Sequence, residues 1–269
     1  MTSDPIAVTG ASGALGRRVV DRLLLLVPPR RIVAVVRDPD KAADLAARGV
    51  QVRHGDYDQP ATLDRAFAGA GTVLLISSPE LDTARRLAQH RNVTAAAIGA
   101  DLLVYTSFLG ADRPGPGVTE AHHATEAAIR ATGRPHVFLR NPFYTDAFVH
   151  SGLRTAAEAG ELTSGTAGRT LNTATRTDLA GAAATVLTTP GHEGRAYDLT
   201  GPLWTFPELA EVLAAHFQTP ISYREQPPPG PMSYLHHLAA TGALEQQTSD
   251  LETLLGRKPT TIADLVAAL

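Results

Sequence analysis

Short apolar runs alternate with longer amphipathic stretches through the first half of the chain. The apolar runs are Ile6 to Val8, Arg31 to Val36, Val50 to Val52, Thr72 to Ile76, Leu102 to Tyr105 and His136 to Leu139. They show little alternation, which is the pattern of strands buried on both faces. Helical periodicity runs through Val20, Leu23 and Leu24, from Lys41 to Arg48, from Leu81 to Gly99 and from Val118 to Ala131. Strand and helix repeated in this way predict right-handed crossovers and an α/β fold with a doubly wound parallel sheet. After Pro142 the pattern loosens. Thr177 to Leu187 reads as a helix, Ala196 to Leu199 as a strand, and Thr205-Phe206-Pro207-Glu208 as a helix start with Thr205 as cap. Gln226 to Pro231 must be a loop, and Leu251 to Leu269 reads as a closing helix. Residues 1–142 are therefore expected to form mainly the sheet domain. Residues 143–269 are expected to complete the sheet and build a small lobe, all as one integrated unit.

The first strand runs directly into Gly10-Ala11-Ser12-Gly13-Ala14-Leu15-Gly16, which opens the first helix. Three glycines at this spacing serve a tight turn, a close approach of backbone to pyrophosphate, and close helix–strand packing. The helix N-terminus then offers unpaired N–H groups and a partial positive charge. A glycine turn alone is common, but between a strand and a helix it reads as a dinucleotide-binding loop of Rossmann type. The end of the second strand chooses the dinucleotide. An acidic residue there would hold the ribose hydroxyls of NAD, whereas Arg37 can take a 2′-phosphate bidentately. The sequence therefore points to NADPH, with NAD(H) the less favoured alternative through Asp38. Asp56 and Tyr57 follow the third strand, where an adenine pocket would form; Asp56 is equally readable as a turn residue beside Gly55.

Composition removes other chemistries. The chain of 269 residues has no Cys and a net charge of −3, and its 24 basic residues include only two lysines, Lys41 and Lys258. No thiolate nucleophile or cysteine metal site is available, and lysine-dependent mechanisms have few places to occur. The balanced charge offers no footprint for nucleic acid, and no apolar run is long enough for a membrane span. The start of the chain lacks a signal-peptide pattern, so a cytoplasmic location is expected. No nucleophile elbow, paired-histidine metal motif or Walker loop occurs, and no metal site is expected.

The chain resembles the NmrA-like group of atypical short-chain dehydrogenases/reductases, and within it the type-2 NAD(P)H:quinone oxidoreductases. The residues that carry the resemblance are the Gly10 to Gly16 loop, Val36 to Ala42, His54 to Tyr57, Tyr105-Thr106-Ser107, His122 to Glu126 and Leu139 to Tyr144. Thr175 to Ala180 and Leu255 to Thr260 extend it over essentially the whole chain. The resemblance implies an NADP-binding domain with a small C-terminal substrate lobe. It also implies that Ser77, Ser78, Thr106 and Ser107 face the nicotinamide end, with Asn141, Pro142 and Phe143 lining the same crevice.

Mainstream short-chain reductases use a Tyr acid with a Lys four residues later. No Tyr-x-x-x-Lys exists in this chain; His122 and Glu126 fall where the pair would be. The quinone-reductase-like relatives share that His and Glu. An alkoxide needs a proton donor, whereas the phenolate-like oxygens of a reduced quinone need much less. His122 is thus either a donor or substrate-orienting group, or an exposed helix residue. Glu126 either holds the His122 tautomer or is a solvated neighbour one turn on. Tyr144 could reach the pocket with its hydroxyl or pack in the core, and Phe143 could stack on a planar ring or pack. His123 reads as surface, Tyr105 as core and Trp204 as lobe packing. Three functions remain open: an NADPH-dependent oxidoreductase acting on a quinone or similar conjugated carbonyl, a non-catalytic redox sensor, and an atypical ketoreductase of a tailoring pathway. The partner is a small-molecule acceptor in the first and third cases, and a homodimer is compatible with all of them.

Overall fold

The computed structural model describes residues 4–115, 117–227 and 232–269. In chain order its elements begin with β1 (Ile6–Thr9), α1 (Ala14–Leu23), β2 (Ile32–Val36), α2 (Ala43–Ala47), β3 (Gln51–His54) and α3 (Pro60–Phe67). They continue with β4 (Thr72–Leu75), α4 (Thr83–Ala96), β5 (Leu102–Phe108), α5 (Val118–Ala131), β6 (His136–Asn141) and β7 (Phe143–Tyr144). Next come α6 (Leu153–Ala159), β8 (Glu161–Ser164), β9 (Leu171–Ala174), α7 (Arg176–Thr188), β10 (Ala196–Asp198) and β11 (Leu203–Trp204). The last are α8 (Phe206–Phe217), β12 (Ser222–Glu225), α9 (Met232–Ala240), α10 (Asp250–Leu255) and α11 (Ile262–Ala267). They form two compact units: the residues up to Asn141 together with Leu179–Leu199, and Pro142–Asp178 together with Thr200–Leu269.

The first unit is a seven-stranded parallel sheet in the order β10-β6-β5-β4-β1-β2-β3. β1 is the pivot: Ile6 pairs with Ile32 on one side and with Thr72 on the other. β1 and β2 are buried along their whole length, as their unbroken apolar runs require. Val33, Val35, Leu63, Val73, Leu75, Val93, Ile129 and Phe138 fill one core layer. Each large aliphatic side chain so buried contributes about 1.5–3 kcal/mol before the cost of chain ordering. The order reverses between β4 and β1, so the loops after β1 and β4 diverge and leave a crevice at the carboxyl ends of the strands.

The second unit has its own core, in which Trp204, Phe206, Leu209, Leu213, Phe148 and Leu171 pack together. Its strands are short and pair across long sequence gaps, as in β8 with β12 and β7 with β9. The reading of Leu251 to Leu269 as one helix is corrected. Gly256 adopts the left-handed conformation with φ 66° and ends α10, and a capping box between Thr261 and Asp264 starts α11 afresh. Asp178, fully buried, holds the turn between them, accepting from Arg257 at 2.5 Å and from the Thr260 N–H at 2.7 Å. Thr205 and Glu208 form the expected cap of α8. Gln226 and Pro227 are irregular, and the rest of that loop lies outside the described residues. No described helix is long and apolar enough to cross a membrane.

Candidate cofactor and active site

Gly10 has a φ of 59° and turns the chain out of β1. Its carbonyl accepts from the Gly13 N–H at 2.9 Å, closing the loop in front of α1. A Cβ on Gly16 would come within 2.3 Å of the Gly10 oxygen, so the first turn of the helix packs directly on the loop backbone. α1 has no side-chain cap and no acidic residue in its first turn. Among the described residues no side chain caps these first-turn N–H groups, and Gly13 to Gly16 line the crevice, which is the donor set a pyrophosphate needs. Gly16→Ala is expected to weaken dinucleotide binding by at least about tenfold; isothermal titration with NADPH checks this.

The crevice is a cavity of about 540 Å³. Gly10, Ser12, Gly13, Ala14, Leu15 and Gly16 form its floor, and Arg37, Asp56, Tyr57, Ser77 and Ser78 form its walls. Eleven of the sequence-derived cofactor candidates therefore meet in one place. Arg37 is exposed at the end of β2 and pairs with no group among the described residues. Asp38 is engaged: its carboxylate accepts from the Asp40 N–H at 3.2 Å and faces Lys41 at 3.5 Å. The Tyr57 hydroxyl lies 2.8 Å from the Ile76 carbonyl and 2.5 Å from Thr9 Oγ1, and its burial pushes its pKa above the ordinary phenol value. Tyr57 thus ties the loop after β3 to the segment after β4.

The remaining candidates are not among the residues that line this cavity. Thr106 and Ser107 are buried in β5 and do not line the cavity. Thr106 Oγ1 accepts from the Ser77 N–H at 2.9 Å, and Ser107 Oγ donates to Glu126 at 2.7 Å. Asn141 is buried at the end of β6, where its carbonyl accepts from the Leu109 N–H. Pro142, Phe143 and Tyr144 belong to the second unit. Phe143 packs against that unit's core, and the Arg176 guanidinium lies over the Tyr144 ring at 4.3 Å from its centroid. Phe143 and Tyr144 are half-buried. A smaller cavity of about 290 Å³ in the second unit is lined by Thr145, Thr173 and Trp204, but by no residue of the cofactor set.

Three expectations about α5 are corrected. His122 is not an exposed helix residue: it is 3 % exposed, and its Nδ1 lies 2.7 Å from the Tyr105 hydroxyl. Glu126 neither holds the His122 tautomer nor faces solvent. Its carboxylate is fully buried and accepts from Ser107, from Arg130 at 2.8 Å and from Arg140 Nε and Nη2 at 2.9 Å each. The following strand, β6, supplies Arg140, which lies off the helix, so the helix pattern gave no sign of the pairing. The carboxylate's lone pairs are committed to structure. His123, read as surface, is half-buried beside the Ala111 carbonyl at 3.0 Å.

The sequence reading missed the polar face of α4. Arg85 donates to Asp58 at 2.9 Å and lies 3.2 Å from Glu80; Gln89 donates to Asp58 at 3.0 Å; Asn92 donates to the Tyr57 carbonyl at 2.8 Å. The available signal was a buried stripe, Gln89, His90, Val93 and Thr94, whose helical spacing is regular but whose chemistry is mixed.

His90 and His122 are kept neutral by burial, His90 with a pKa lowered to about 3 and His122 well below the ordinary histidine range. The unfolded chain takes up these protons near pH 6.5 and the folded one does not. Stability should therefore fall as pH drops below about 6.5, by up to about 1.4 kcal/mol per pH unit for each such histidine. For His90 the loss continues down to about pH 3. Urea midpoints measured between pH 7.5 and 5 check this, and His90→Gln should flatten the slope.

A family model described as NAD(P)H-binding matches residues 10–190. Quinone oxidoreductase 2 of Escherichia coli is 36 % identical over 98 % of each chain.

The chain is an NmrA-like, NAD(P)H-binding member of the atypical short-chain dehydrogenases/reductases.

Two solved structures extend the comparison. Citrobacter sp. triphenylmethane reductase complexed with NADP(H) has a TM-score of 0.94 and 37 % identity, covering 98 % of this chain and 99 % of that one. The NADPH complex of the Escherichia coli quinone oxidoreductase has a TM-score of 0.90 and 35 % identity, with coverage of 98 % and 99 %. The family is one of NAD(P)H-dependent oxidoreductases, and the uncapped α1 terminus, the Gly16 contact and the free Arg37 fit that cofactor.

Proposed function

We propose that this protein is an NADPH-dependent reductase that delivers hydride to a quinone or a comparably conjugated acceptor. The observation that carries the acceptor class is the structural commitment of Glu126 beside the buried His122. The position of the usual acid–base pair holds a carboxylate spent on Ser107, Arg130 and Arg140 and a histidine that burial keeps neutral, an arrangement that suits an acceptor whose reduced oxygens need no strong acid. When bound, NADPH supplies the hydride. Gly10 to Gly16 would hold the pyrophosphate and Arg37 would take the 2′-phosphate; Asp56, whose carboxylate also accepts from the Asp58 N–H at 3.0 Å and the Gln59 amide at 3.3 Å within its turn, would accept from the adenine amino group with its remaining lone pairs. Ser77 and Ser78 form the wall toward the nicotinamide. Quinone plus hydride gives the hydroquinone anion, and a proton from solvent completes the hydroquinone, so the chain's task is positioning. A cytoplasmic location, where NADPH is regenerated, belongs to the same reading.

The test is loss of NADPH absorbance with a panel of quinones, an azo dye, a triphenylmethane dye and a simple aliphatic ketone. Turnover with the conjugated acceptors but not the ketone supports the reading. Tight NADPH binding without turnover on any acceptor replaces it with a redox sensor, and efficient ketone reduction replaces it with an atypical ketoreductase.

A further inference from the structure

Beyond Leu75 the chain leaves the β4 ladder, yet its next three N–H groups are all satisfied by side chains. Ile76 donates to Thr9 Oγ1 at 3.0 Å, Ser77 to Thr106 Oγ1 at 2.9 Å, and Ser78 to His90 Nε2 at 2.9 Å. Strands β1 and β5 supply the two threonines, which flank β4, and helix α4 supplies the histidine. The same segment is held a second time: Ser78 Oγ donates to Gln89 Oε1 at 2.5 Å and accepts from the Glu80 N–H at 3.1 Å. Ile76, Ser77 and Ser78 line the cavity, and the carbonyls of Ser77 and Ser78 have no partner among the described residues. Ser77 is half-buried and Ser78 is 3 % exposed, so these main-chain acceptors would be satisfied by a ribose hydroxyl or an amide N–H of a bound dinucleotide.

His90 is built for this one task. It is 1 % exposed, and its ring meets Tyr105 edge-on with centroids 5.5 Å apart. Because Nε2 accepts from Ser78, the neutral ring carries its proton on Nδ1 and donates it to Thr125 Oγ1 at 2.9 Å. Thr125 in turn donates to the Ala121 carbonyl at 2.8 Å. This chain of donors runs in one direction and fixes the tautomer that accepts from Ser78.

We propose that His90, assisted by Gln89, is a positioning residue of the cofactor site: it fixes the Ser77–Ser78 segment so that its free carbonyls stay directed to the bound dinucleotide. The proposal rests on NADPH occupying the cavity and does not depend on which acceptor is reduced. His90→Leu keeps the volume but removes the acceptor, leaving the Ser78 N–H buried and unpaired. It should raise the NADPH Kd, and the KM for NADPH with it, by about tenfold or more, with kcat at saturating NADPH changed less than about threefold. His90→Gln places a carbonyl oxygen near the Nε2 position and should restore affinity to within about threefold of the parent. Gln89→Met, which keeps the length of the buried side chain but removes the acceptor of the Ser78 hydroxyl, should move Kd in the same direction if the histidine variant folds poorly.

NADPH affinity in His90→Leu equal to that of the parent overturns the proposal. So does an equal loss in the Leu and Gln variants that follows their melting temperatures, since that would make His90 merely a core residue. Failure of the parent protein to turn over quinones would remove the acceptor reading and leave this binding comparison intact.

Discussion

Glu126→Gln is expected to lower the stability of the protein by about 3–5 kcal/mol, because it leaves a buried guanidinium without its counter-charge. The Arg140 side chain is 9 % exposed and donates to Glu126 through both Nε and Nη2. Its other carboxylate partner, Asp198, is farther away at 3.4 Å. The pairing with Glu126 raises the Arg140 pKa further, so the arginine cannot discharge to relieve the loss. A glutamine would also turn an N–H₂ toward donors. For a chain of this size the melting temperature should fall by roughly 10 °C. Urea unfolding and calorimetry give both numbers. Two controls separate the buried pair from the surface one. Arg130 is 44 % exposed, so Arg130→Ala should cost less than about 1 kcal/mol. Replacing Glu126 and Arg140 together by apolar residues of similar volume should recover most of the loss, since the penalty comes from the unpaired charge. A Glu126→Gln protein as stable as the parent would refute the assignment of this carboxylate to structure.

Arg37→Ala should weaken NADPH binding by about 10–100-fold, the worth of a charge-assisted bidentate contact, while NADH changes by less than about threefold. Arg37 lines the cavity and makes no hydrogen bond or ion pair among the described residues, whereas the neighbouring carboxylate of Asp38 is occupied by a backbone N–H and Lys41. A ribose 2′-hydroxyl would therefore find no free acid at the end of β2, and a 2′-phosphate would find a free guanidinium. Binding isotherms for both nucleotides check this. The NADPH affinity of the parent should also fall with salt more steeply than that of the Arg37→Ala variant, because one charge contact has been removed. Equal losses for NADPH and NADH would refute the 2′-phosphate role.

These two residues show how differently sequence and structure contribute. The position of Arg37 at the crevice was legible because it depends on local order: Arg37 ends a strand that follows a glycine loop, and the crevice lies at the carboxyl ends of the strands whatever the side chains do elsewhere. Gly10 to Gly16 were legible for the same reason. Glu126 was not. On its helix it is one turn from His122, and its partner Arg140 comes from β6, the next element, where only the packing of α5 on the sheet brings the two together. His90 and Gln89 were hidden by the opposite circumstance, since polar residues on the buried face of α4 weaken the very periodicity from which burial is read. In the second unit, strands as short as β7 and β11 carry no pattern of their own. They exist because partners distant in sequence satisfy their backbone groups.

The sequence by itself determined the parallel α/β sheet, the glycine loop that opens the first helix, the cation at the end of β2 and the absence of a Tyr-Lys pair. Each follows from neighbours in the chain or from the period of buried strands. Only the tertiary structure decided that His122 is buried against Tyr105, that Glu126 is a structural carboxylate, and that α4 braces the pocket wall. Whether a polar side chain is solvated, paired or aimed at a ligand depends on which distant groups the fold brings within about 3 Å of it. No local pattern encodes that distance.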